Sequence, residues 1–137
     1  MSLPPDTGQL KFAILHHAAC SGRRFHYCIH SSGERDVLLA ESEPGEHAQC
    51  IGIMMAGDGD AAPPSPEQMA ALRELLRELK ARYPDLQVGG HRQIRGSTTT
   101  CPGQHFPLNE LRHWSTGELI AERDAAMQDI VDRQYRP

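Results

Sequence analysis

The sequence has no apolar run long enough to cross a bilayer and no excess of positive charge. No stretch approaches the roughly 18 consecutive apolar residues that a transmembrane helix needs. Lysine and arginine together number 14 against 18 aspartate and glutamate residues, which gives a formal net charge of -4. A membrane span is therefore not expected, and the composition offers no electrostatic footprint for nucleic acid.

The four cysteines form no Cys-x-x-Cys pair, and the N-terminus carries no recognisable export signal. The opening residues, MSLPPDTGQLKFAIL, lack a basic segment followed by an apolar segment and a cleavage site. Without such a signal, the cysteines are expected to be free thiols or metal ligands rather than a disulfide framework.

The 137 residues have the length and the 39% apolar content of one globular domain with a substantial core. Short apolar segments bounded by turn residues are typical of strands in such a domain. The segments that predict strands are residues 10–16, 25–30, 36–41, 50–57 and 86–91. The second and third would form a hairpin, and the fourth would lie at the centre of the sheet.

The clearest periodic pattern predicts a helix that begins after Ser65. Ser65 is a favourable N-cap, and Pro66 suits the first helical position. Apolar residues then recur at helical spacing with charged residues between them, which indicates packing against a core rather than a functional surface. The apolar stripe consists of Met69, Leu72, Leu75, Leu76 and Leu79.

Towards the end of the chain, FPLNELRHW predicts a short helix, and an amphipathic helix follows it. Ser115, with Glu118 three residues later, has the pattern of a capping box. We therefore divide the chain into a flexible N-terminus (1–9), one α/β domain (10–114) and a C-terminal helix (115–137) that packs on that domain. The fold is expected to be a central mixed β-sheet flanked by helices.

Three chemically reactive side chains end predicted strands or stand in a rigid turn. His16 and His91 end the first and last strands, and Cys101 precedes Pro-Gly. In open α/β sheets, sites lie outside the carboxyl ends of strands. Two imidazoles and one thiolate suit zinc, and three protein ligands with one open position are typical of a catalytic zinc site. The alternative is that Cys101 is a small buried apolar residue and that the histidines are ordinary surface groups.

Six motifs, taken together in their order, resemble those of the zinc-dependent type 2 N-acetylmuramoyl-L-alanine amidases. The motifs are FAILHHAA, FHYCIHSSG, IGIMMAG, SPEQMAALRELLRELKARYP, VGGHRQI and TTTCPG. That family includes phage amidase-lysozymes, bacterial peptidoglycan amidases and the animal peptidoglycan recognition proteins. The resemblance covers about residues 10–114. It implies hydrolysis of the amide between N-acetylmuramic acid and L-alanine in peptidoglycan or its fragments.

The resemblance also assigns roles to residues at the matching positions. It implies that His16, His91 and Cys101 bind Zn²⁺ at the strand ends. Thr99, two residues before the third ligand, would point at the substrate carbonyl, and otherwise it is a turn hydroxyl. The side chains implied to bind substrate are His17, Phe25 and Arg92.

Two positions depart from the family pattern. Phe25 stands where many members have a tyrosine that helps activate the attacking water, and Met54 stands where others have a glutamate. The chain therefore predicts an amidase of reduced activity, or a catalytically weak or silent peptidoglycan-binding module of the same fold. His47, in the loop PGEHAQ, is the first candidate for the proton acceptor. The further candidates are His17, Tyr27 and His26, the last disfavoured because strand alternation would turn it away from Phe25.

A third alternative is a structural zinc site, which needs four protein ligands. No fourth candidate has the spacing of a motif, although His17 or His105 could supply one. Such a site would hold the fold together without cutting a substrate.

The partners implied by the resemblance are peptidoglycan or muropeptides. The stretch between His16 and Phe25 is short, so the groove is expected to be open where related proteins carry a helix. A monomer is expected, with no nucleic acid partner and no membrane span. The missing export signal predicts a cytoplasmic protein, or a phage-encoded one released at lysis. An extracellular location is expected only if a leader was trimmed.

Overall fold

The computed structural model describes residues 10–20 and 24–117, which form one five-stranded sheet and two α-helices. A short 3-10 helix, His91–Gln93, follows the last strand directly. The strands are β1 (Phe12–His17), β2 (Tyr27–Ile29), β3 (Arg35–Val37), β4 (Cys50–Met55) and β5 (Gln87–Gly90), and the helices are α1 (Pro66–Arg82) and α2, which covers residues 108–117.

The sheet is mixed, with the strand order β3-β2-β4-β1-β5. β1 pairs in parallel with β4 and β5, β2 pairs in parallel with β4, and β3 runs antiparallel to β2. This topology confirms the predicted α/β domain with a mixed central sheet. β4 is the central strand, as its apolar sequence indicated, and β2 and β3 form the predicted hairpin.

Strand alternation gives the sheet an apolar face that the helices cover. Leu15 and Ile53 are fully buried on this face, and so is the leucine stripe of α1. From α2, Leu108 and Leu111 join the same apolar cluster. Burying a side chain of this size stabilises the fold by about 1.5–3 kcal/mol relative to leaving it exposed. The helix-covered face is therefore the core, and the opposite face is left for other uses.

α1 begins where the sequence predicts. Ser65 Oγ accepts a hydrogen bond from the Gln68 N–H at 3.1 Å, and Gln68 Oε1 accepts one from the Ser65 N–H at 3.3 Å. The Gln68 side-chain amide also donates to the carbonyls of Ile29 and Ala56, both at 2.9 Å. The start of the helix is thereby tied to the carboxyl ends of β2 and β4.

The chain continues as a helix through the boundary predicted after Trp114. α2 begins at residue 108, and Ser115 lies inside it. The Ser115 hydroxyl donates to the Arg112 carbonyl at 2.9 Å, so this residue does not cap a new helix as its sequence pattern predicted. Residues 1–9 and 118–137 lie outside the described residues, and their assignments stay predictions. Within the described ranges, no helix has the length and apolar character needed to span a membrane.

Candidate metal centre

Four cysteine and histidine side chains converge at the carboxyl edge of the sheet. One ligand atom from each lies within 4.8 Å of the other three. We call His16, Cys20, His91 and Cys101 the ligand cluster. Three of its members are the predicted zinc ligands, and the fourth member, Cys20, was not predicted from the sequence.

The sheet itself brings the two histidines together. β1 and β5 are adjacent parallel strands, and Leu15 is paired with Gly90 in their register. The residues that follow, His16 and His91, therefore emerge at the same edge. Their ring centroids are 4.9 Å apart, although 74 residues of sequence lie between them.

Both sulfur atoms approach the histidines through Nδ1. The Cys101 Sγ lies 3.7 Å from the His16 Nδ1, and the Cys20 Sγ lies 3.8 Å from the same nitrogen. The Cys20 Sγ also lies 3.2 Å from the His91 Nδ1. The backbone N–H of His17 donates to the Cys101 Sγ at 3.4 Å, which orients that sulfur.

The turn that carries Cys101 is pressed against the loop after β4. A Cβ added to Gly59 would lie 2.0 Å from the Pro102 carbonyl oxygen. A Cβ added to Gly103, whose φ is +113°, would lie 2.1 Å from the Gly59 carbonyl carbon. The two backbones are in direct contact, so glycine is the only residue that fits at either position. This contact explains why Cys101 stands in so stiff a turn.

Asp60 reinforces this contact from the same loop. Its carboxylate accepts hydrogen bonds from the Thr100 hydroxyl and from the Gln104 N–H, both at 2.8 Å. These bonds, with Thr100 the larger cause, hold the pKa of Asp60 below its usual value. Asp60 is therefore ionised at neutral pH and fastens the turn on both sides of Cys101.

Burial and mutual proximity keep the two histidines neutral. Burial, followed by the neighbouring rings of His91 and His47, lowers the pKa of His16 from 6.5 to about 3. Burial and His47 also lower the pKa of His91. Neutral imidazole is the form that binds metal ions, so both side chains have the required protonation state at neutral pH.

The Cys101 thiol needs a nearby cation to become anionic at neutral pH. Burial raises the pKa of the Cys101 thiol from 9.0 to about 12, and the nearby Cys20 thiol acts in the same direction. A divalent metal ion among the four atoms would offset this effect and favour the thiolate. Two imidazole nitrogens and two sulfurs form a donor set that zinc favours in proteins. The residues present therefore fit a zinc ion.

Phe25 and His47 lie beside the ligand cluster, as predicted. The Phe25 ring centroid is 4.6 Å from that of His16. The His47 ring stacks almost parallel to His16 at 5.6 Å and lies 5.0 Å from His91. The His47 Nε2 is buried and has no hydrogen-bond partner among the described residues. The catalytic role of His47 and the substrate contact of Phe25 stay predictions.

Thr99 and Arg92 both contact the turn of Cys101. The Cys101 N–H donates to the Thr99 Oγ1 at 3.1 Å. The Arg92 N–H donates to the Cys101 carbonyl at 2.8 Å, and its guanidinium donates to the Gly103 carbonyl at 3.0 Å. These contacts position a ligand, and contact of either side chain with substrate stays a prediction.

His17 points away from the ligand cluster because successive residues of β1 face opposite sides of the sheet. Its Nδ1 accepts the Gly59 N–H at 2.9 Å and lies 3.6 Å from the Asp58 carboxylate. His17 is therefore not a fourth ligand of this cluster, and neither is the exposed His105. The predicted substrate contact of His17 stays a prediction.

His26 and Tyr27 have partners elsewhere. The His26 Nδ1 accepts the Gly52 N–H at 3.0 Å, so its Nε2 carries the proton and donates to the Glu43 carbonyl at 2.8 Å. The Tyr27 hydroxyl donates to the Glu41 carboxylate, and burial is the main cause that raises its pKa to about 12. Both residues are thereby disfavoured as the proton acceptor.

The face of the sheet that carries His16 also carries a cavity. Met54 is paired with His16 in the register of β1 and β4, so it lies on this face. A cavity of about 650 Å³ opens beside His47 and extends along Ile14 and Phe12 towards β5. The volume of this cavity suits a ligand of a few sugar or amino-acid units, and His47, which lines it, stacks on His16 of the ligand cluster.

Cys20 is the member of the cluster that sequence reasoning missed. It lies in the turn that follows β1, four residues after His16. The His-x-x-x-Cys spacing across a tight turn was the available signal, since such a turn folds the sulfur back towards the strand end.

The mixed sheet, with histidine and cysteine side chains converging at its carboxyl edge, defines an α/β domain with a candidate metal site. Comparison with known proteins identifies the family. The chain matches the N-acetylmuramoyl-L-alanine amidase family, Amidase_2, over residues 5–104, and it belongs to that family.

Individual relatives agree with this assignment. The chain is 27% identical over 107 residues to an endolysin of Enterobacteria phage K11, a match that covers 70% of this chain and 66% of the endolysin, just under two thirds. Its fold is similar to that of the amidase LysC from Clostridium intestinale, with a TM-score of 0.68, 23% identity and coverage of 80% and 87% of the two chains. It is also similar to the drosophila peptidoglycan recognition protein SD, with a TM-score of 0.62, 21% identity and coverage of 77% and 80%.

Proposed function

We propose that this protein is a zinc-dependent N-acetylmuramoyl-L-alanine amidase that acts on peptidoglycan or its fragments. The observation that carries the proposal is the convergence of His16, His91 and Cys101 at the carboxyl edge of the sheet. Membership of the amidase family supports it. A zinc ion held by these three residues would supply Lewis acidity for the scissile carbonyl and would lower the pKa of the attacking water.

We assign to Thr99 the role of hydrogen-bond donor to the substrate carbonyl. Its Oγ1 already accepts the Cys101 N–H, so the hydroxyl proton is the part that can be donated to another group. Donated to the carbonyl oxygen, that proton would stabilise the negative charge that develops during attack. The hydrogen bond to Cys101 fixes the position of this donor relative to a metal ligand.

We assign proton transfer to His47. Its ring stacks on His16, and its buried Nε2 has no hydrogen-bond partner within the described part of the chain. An imidazole can accept a proton from the attacking water and pass it to the leaving amine of L-alanine. Phe25, in the position of the family tyrosine, lacks a hydroxyl and would serve as an apolar wall of the site.

A catalytically weak or silent peptidoglycan-binding module is the second candidate. It is favoured by Phe25 and Met54, which have no proton to transfer, and by the presence of a fourth potential ligand, Cys20, in the cluster. Such a module would bind muropeptides in the cavity beside His47 and release them unchanged.

The two candidates are separated by incubating zinc-loaded protein with purified muropeptides. An amidase should release peptides with a free L-alanine amino terminus, detected by mass spectrometry. Cys101→Ser should abolish this release, while Cys28→Ala, which removes a buried thiol outside the ligand cluster, should retain it. Muropeptide binding in calorimetry without product release from the wild type would favour the binding module.

The similarity to a phage endolysin supports a place for this protein in phage lysis, where peptidoglycan is the target. We propose muropeptides or peptidoglycan as its partners on this basis. Release of the protein from a lysing host cell would bring it to that substrate.

A further inference from the structure

We infer that Cys20 is a fourth ligand of the bound metal ion and that its thiolate occupies the coordination position that a working amidase keeps open. This inference rests on the proposed metal site formed by His16, His91 and Cys101. It changes the resting state of that site from three protein ligands to four.

The distances support four ligands rather than three. Nitrogen and sulfur ligands about 2.0–2.3 Å from a tetrahedral zinc ion lie about 3.3–3.8 Å from one another. The Cys20 Sγ lies 3.2 Å from the His91 Nδ1 and 3.8 Å from the His16 Nδ1. The Cys101 Sγ, a ligand implied by the family, lies 3.7 Å from the His16 Nδ1. The Cys20 Sγ therefore lies about as far from the histidine nitrogens as does the Cys101 Sγ, which we propose as a ligand.

The local backbone holds Cys20 in this position. The Cys20 N–H donates to the His17 carbonyl at 2.9 Å, which closes a tight turn directly after β1. The turn returns the sulfur to the strand end, where His16 is completely buried.

The two cysteines differ in how firmly they are held, and this difference identifies the exchangeable one. Cys101 is completely buried, and its turn is fixed by the backbone contact between Gly59 and Gly103. Cys20 is only partly buried and lies in the turn that follows β1, without a backbone contact of the kind that fixes Cys101 among the described residues. Cys20 is therefore the ligand that can leave, while Cys101 stays.

Exchange of Cys20 would connect a closed site with an open one. Four protein ligands are typical of structural zinc sites, and three with one open position are typical of catalytic sites. On metal binding the Cys20 thiol would release its proton to solvent, and on leaving the metal its sulfur would take up a proton again. The same chain can thus hold the metal in a latent state and expose it when substrate enters.

The test counts sulfur ligands directly. Zinc-edge X-ray absorption of the zinc-loaded wild type should give two sulfur ligands per zinc, Cys20→Ala should give one, and the matched control Cys28→Ala should keep two. In cobalt-loaded protein, the thiolate charge-transfer absorption of Cys20→Ala should fall by about half relative to wild type, since it scales with the number of bound thiolates. One sulfur per zinc in the wild type would overturn the inference.

Two further measurements keep the inference testable if Cys20→Ala folds poorly. In the wild type, alkylation of Cys20 by iodoacetamide, mapped by mass spectrometry, should slow when zinc is added and recover with a chelator. Azide should perturb the cobalt spectrum of Cys20→Ala but leave that of the wild type unchanged at the same concentration. Equal alkylation with and without zinc, or an equal azide response in both proteins, would contradict it.

Failure of this inference can be distinguished from failure of the proposed function. If the protein cleaves muropeptides and has one sulfur ligand per zinc, Cys20 is not a ligand but the proposed amidase function stands. If the protein has two sulfur ligands per zinc and cleaves no muropeptide, Cys20 is the fourth ligand and the proposed amidase function is wrong.

Discussion

Single residues decide how well this site can transfer protons. Phe25 lies 4.6 Å from His16, ring to ring, in the place where many relatives have a tyrosine hydroxyl. The His47 ring stacks on the same histidine, and its buried Nε2 has no hydrogen-bond partner among the described residues. Strand alternation would place Phe25 and Tyr27 on one face, but β2 begins only at Tyr27, so this rule does not apply to Phe25. The identity of the proton acceptor therefore needs the tertiary structure.

His47→Ala should lower muropeptide hydrolysis by about 10²–10⁴-fold, the usual contribution of a well-placed general acid or base. Zinc content should stay equal to that of the wild type because His47 is not in the ligand cluster. Rates measured across pH 5–9 would check this. A variant with the wild-type rate and pH profile would remove His47 from the mechanism.

Phe25→Tyr tests the other route for the proton. If the matched hydroxyl can still act, the rate should rise by about tenfold, equivalent to about 1.4 kcal/mol of barrier. The ring is already packed on His16, so the fold should tolerate one additional oxygen. Parallel assays of Phe25→Tyr and His47→Ala should show which group carries the proton. No gain in Phe25→Tyr, together with the loss in His47→Ala, would assign the transfer to His47 alone.

Thr99→Val should reduce kcat for muropeptides by about 10²-fold or more, the scale of losing one oxyanion donor. Because the Thr99 Oγ1 also accepts the Cys101 N–H, valine could weaken the turn, so zinc content must be measured alongside kcat. Thr99→Ser is the matched control, since it keeps both the acceptor and the proton. If Thr99→Val kept the wild-type kcat, Thr99 would have only a structural role in the turn.

At the level of elements, the strands and α1 could be predicted, whereas the contact that fixes Cys101 could not. Apolar runs and the capping pattern at Ser65 are local signals, and they give the elements in the right order, although β3 covers Arg35–Val37 and not the predicted 36–41. The approach of Gly59 to Gly103 joins two loops that are far apart in sequence, and no local pattern encodes it. Cys20 has a local signal in its spacing from His16, but its contact with His91 depends on the pairing of β1 with β5 and is not encoded locally.

Gly59→Ala should test whether this loop contact maintains the metal site. The added Cβ would overlap the Pro102 carbonyl, and overpacking of this kind lowers the free energy of unfolding by about 1–3 kcal/mol. The shift of the turn should also weaken zinc binding in a chelator competition. Gly117→Ala is the control, because its Cβ would meet nothing within 4 Å among the described residues, and it should change stability by less than about 1 kcal/mol. Equal zinc affinity in Gly59→Ala and wild type would show that Cys101 does not depend on this contact.

For the whole molecule, the ligand cluster should set the pH range over which the metal-free protein is stable. The pKa of His16 falls from 6.5 to about 3 on folding, so below pH 6.5 the unfolded chain binds the extra proton first. Stability should therefore fall as the pH drops from 6.5 towards 3. The pKa of Cys101 rises from 9.0 to about 12, so above pH 9 the unfolded chain loses its proton first and stability should fall again.

Urea unfolding of chelator-treated protein at several pH values would measure this profile. His16→Asn should flatten the acid side, and Cys101→Ala should flatten the alkaline side. Zinc should raise stability between these limits because it binds the folded state. A metal-free stability that is constant from pH 4 to pH 10 would contradict the assigned burial of the two side chains.

The most direct test of the account is the zinc content of the protein after chelation, reloading and dialysis. The wild type and Cys28→Ala should each retain one zinc ion per chain, measured by elemental mass spectrometry. Cys101→Ser, with its fold confirmed by circular dichroism, should retain far less, because it loses the firmly held thiolate of the cluster. Equal zinc in Cys101→Ser and the wild type, or a wild type that retains none, would contradict the central claim that His16, His91 and Cys101 form a zinc site.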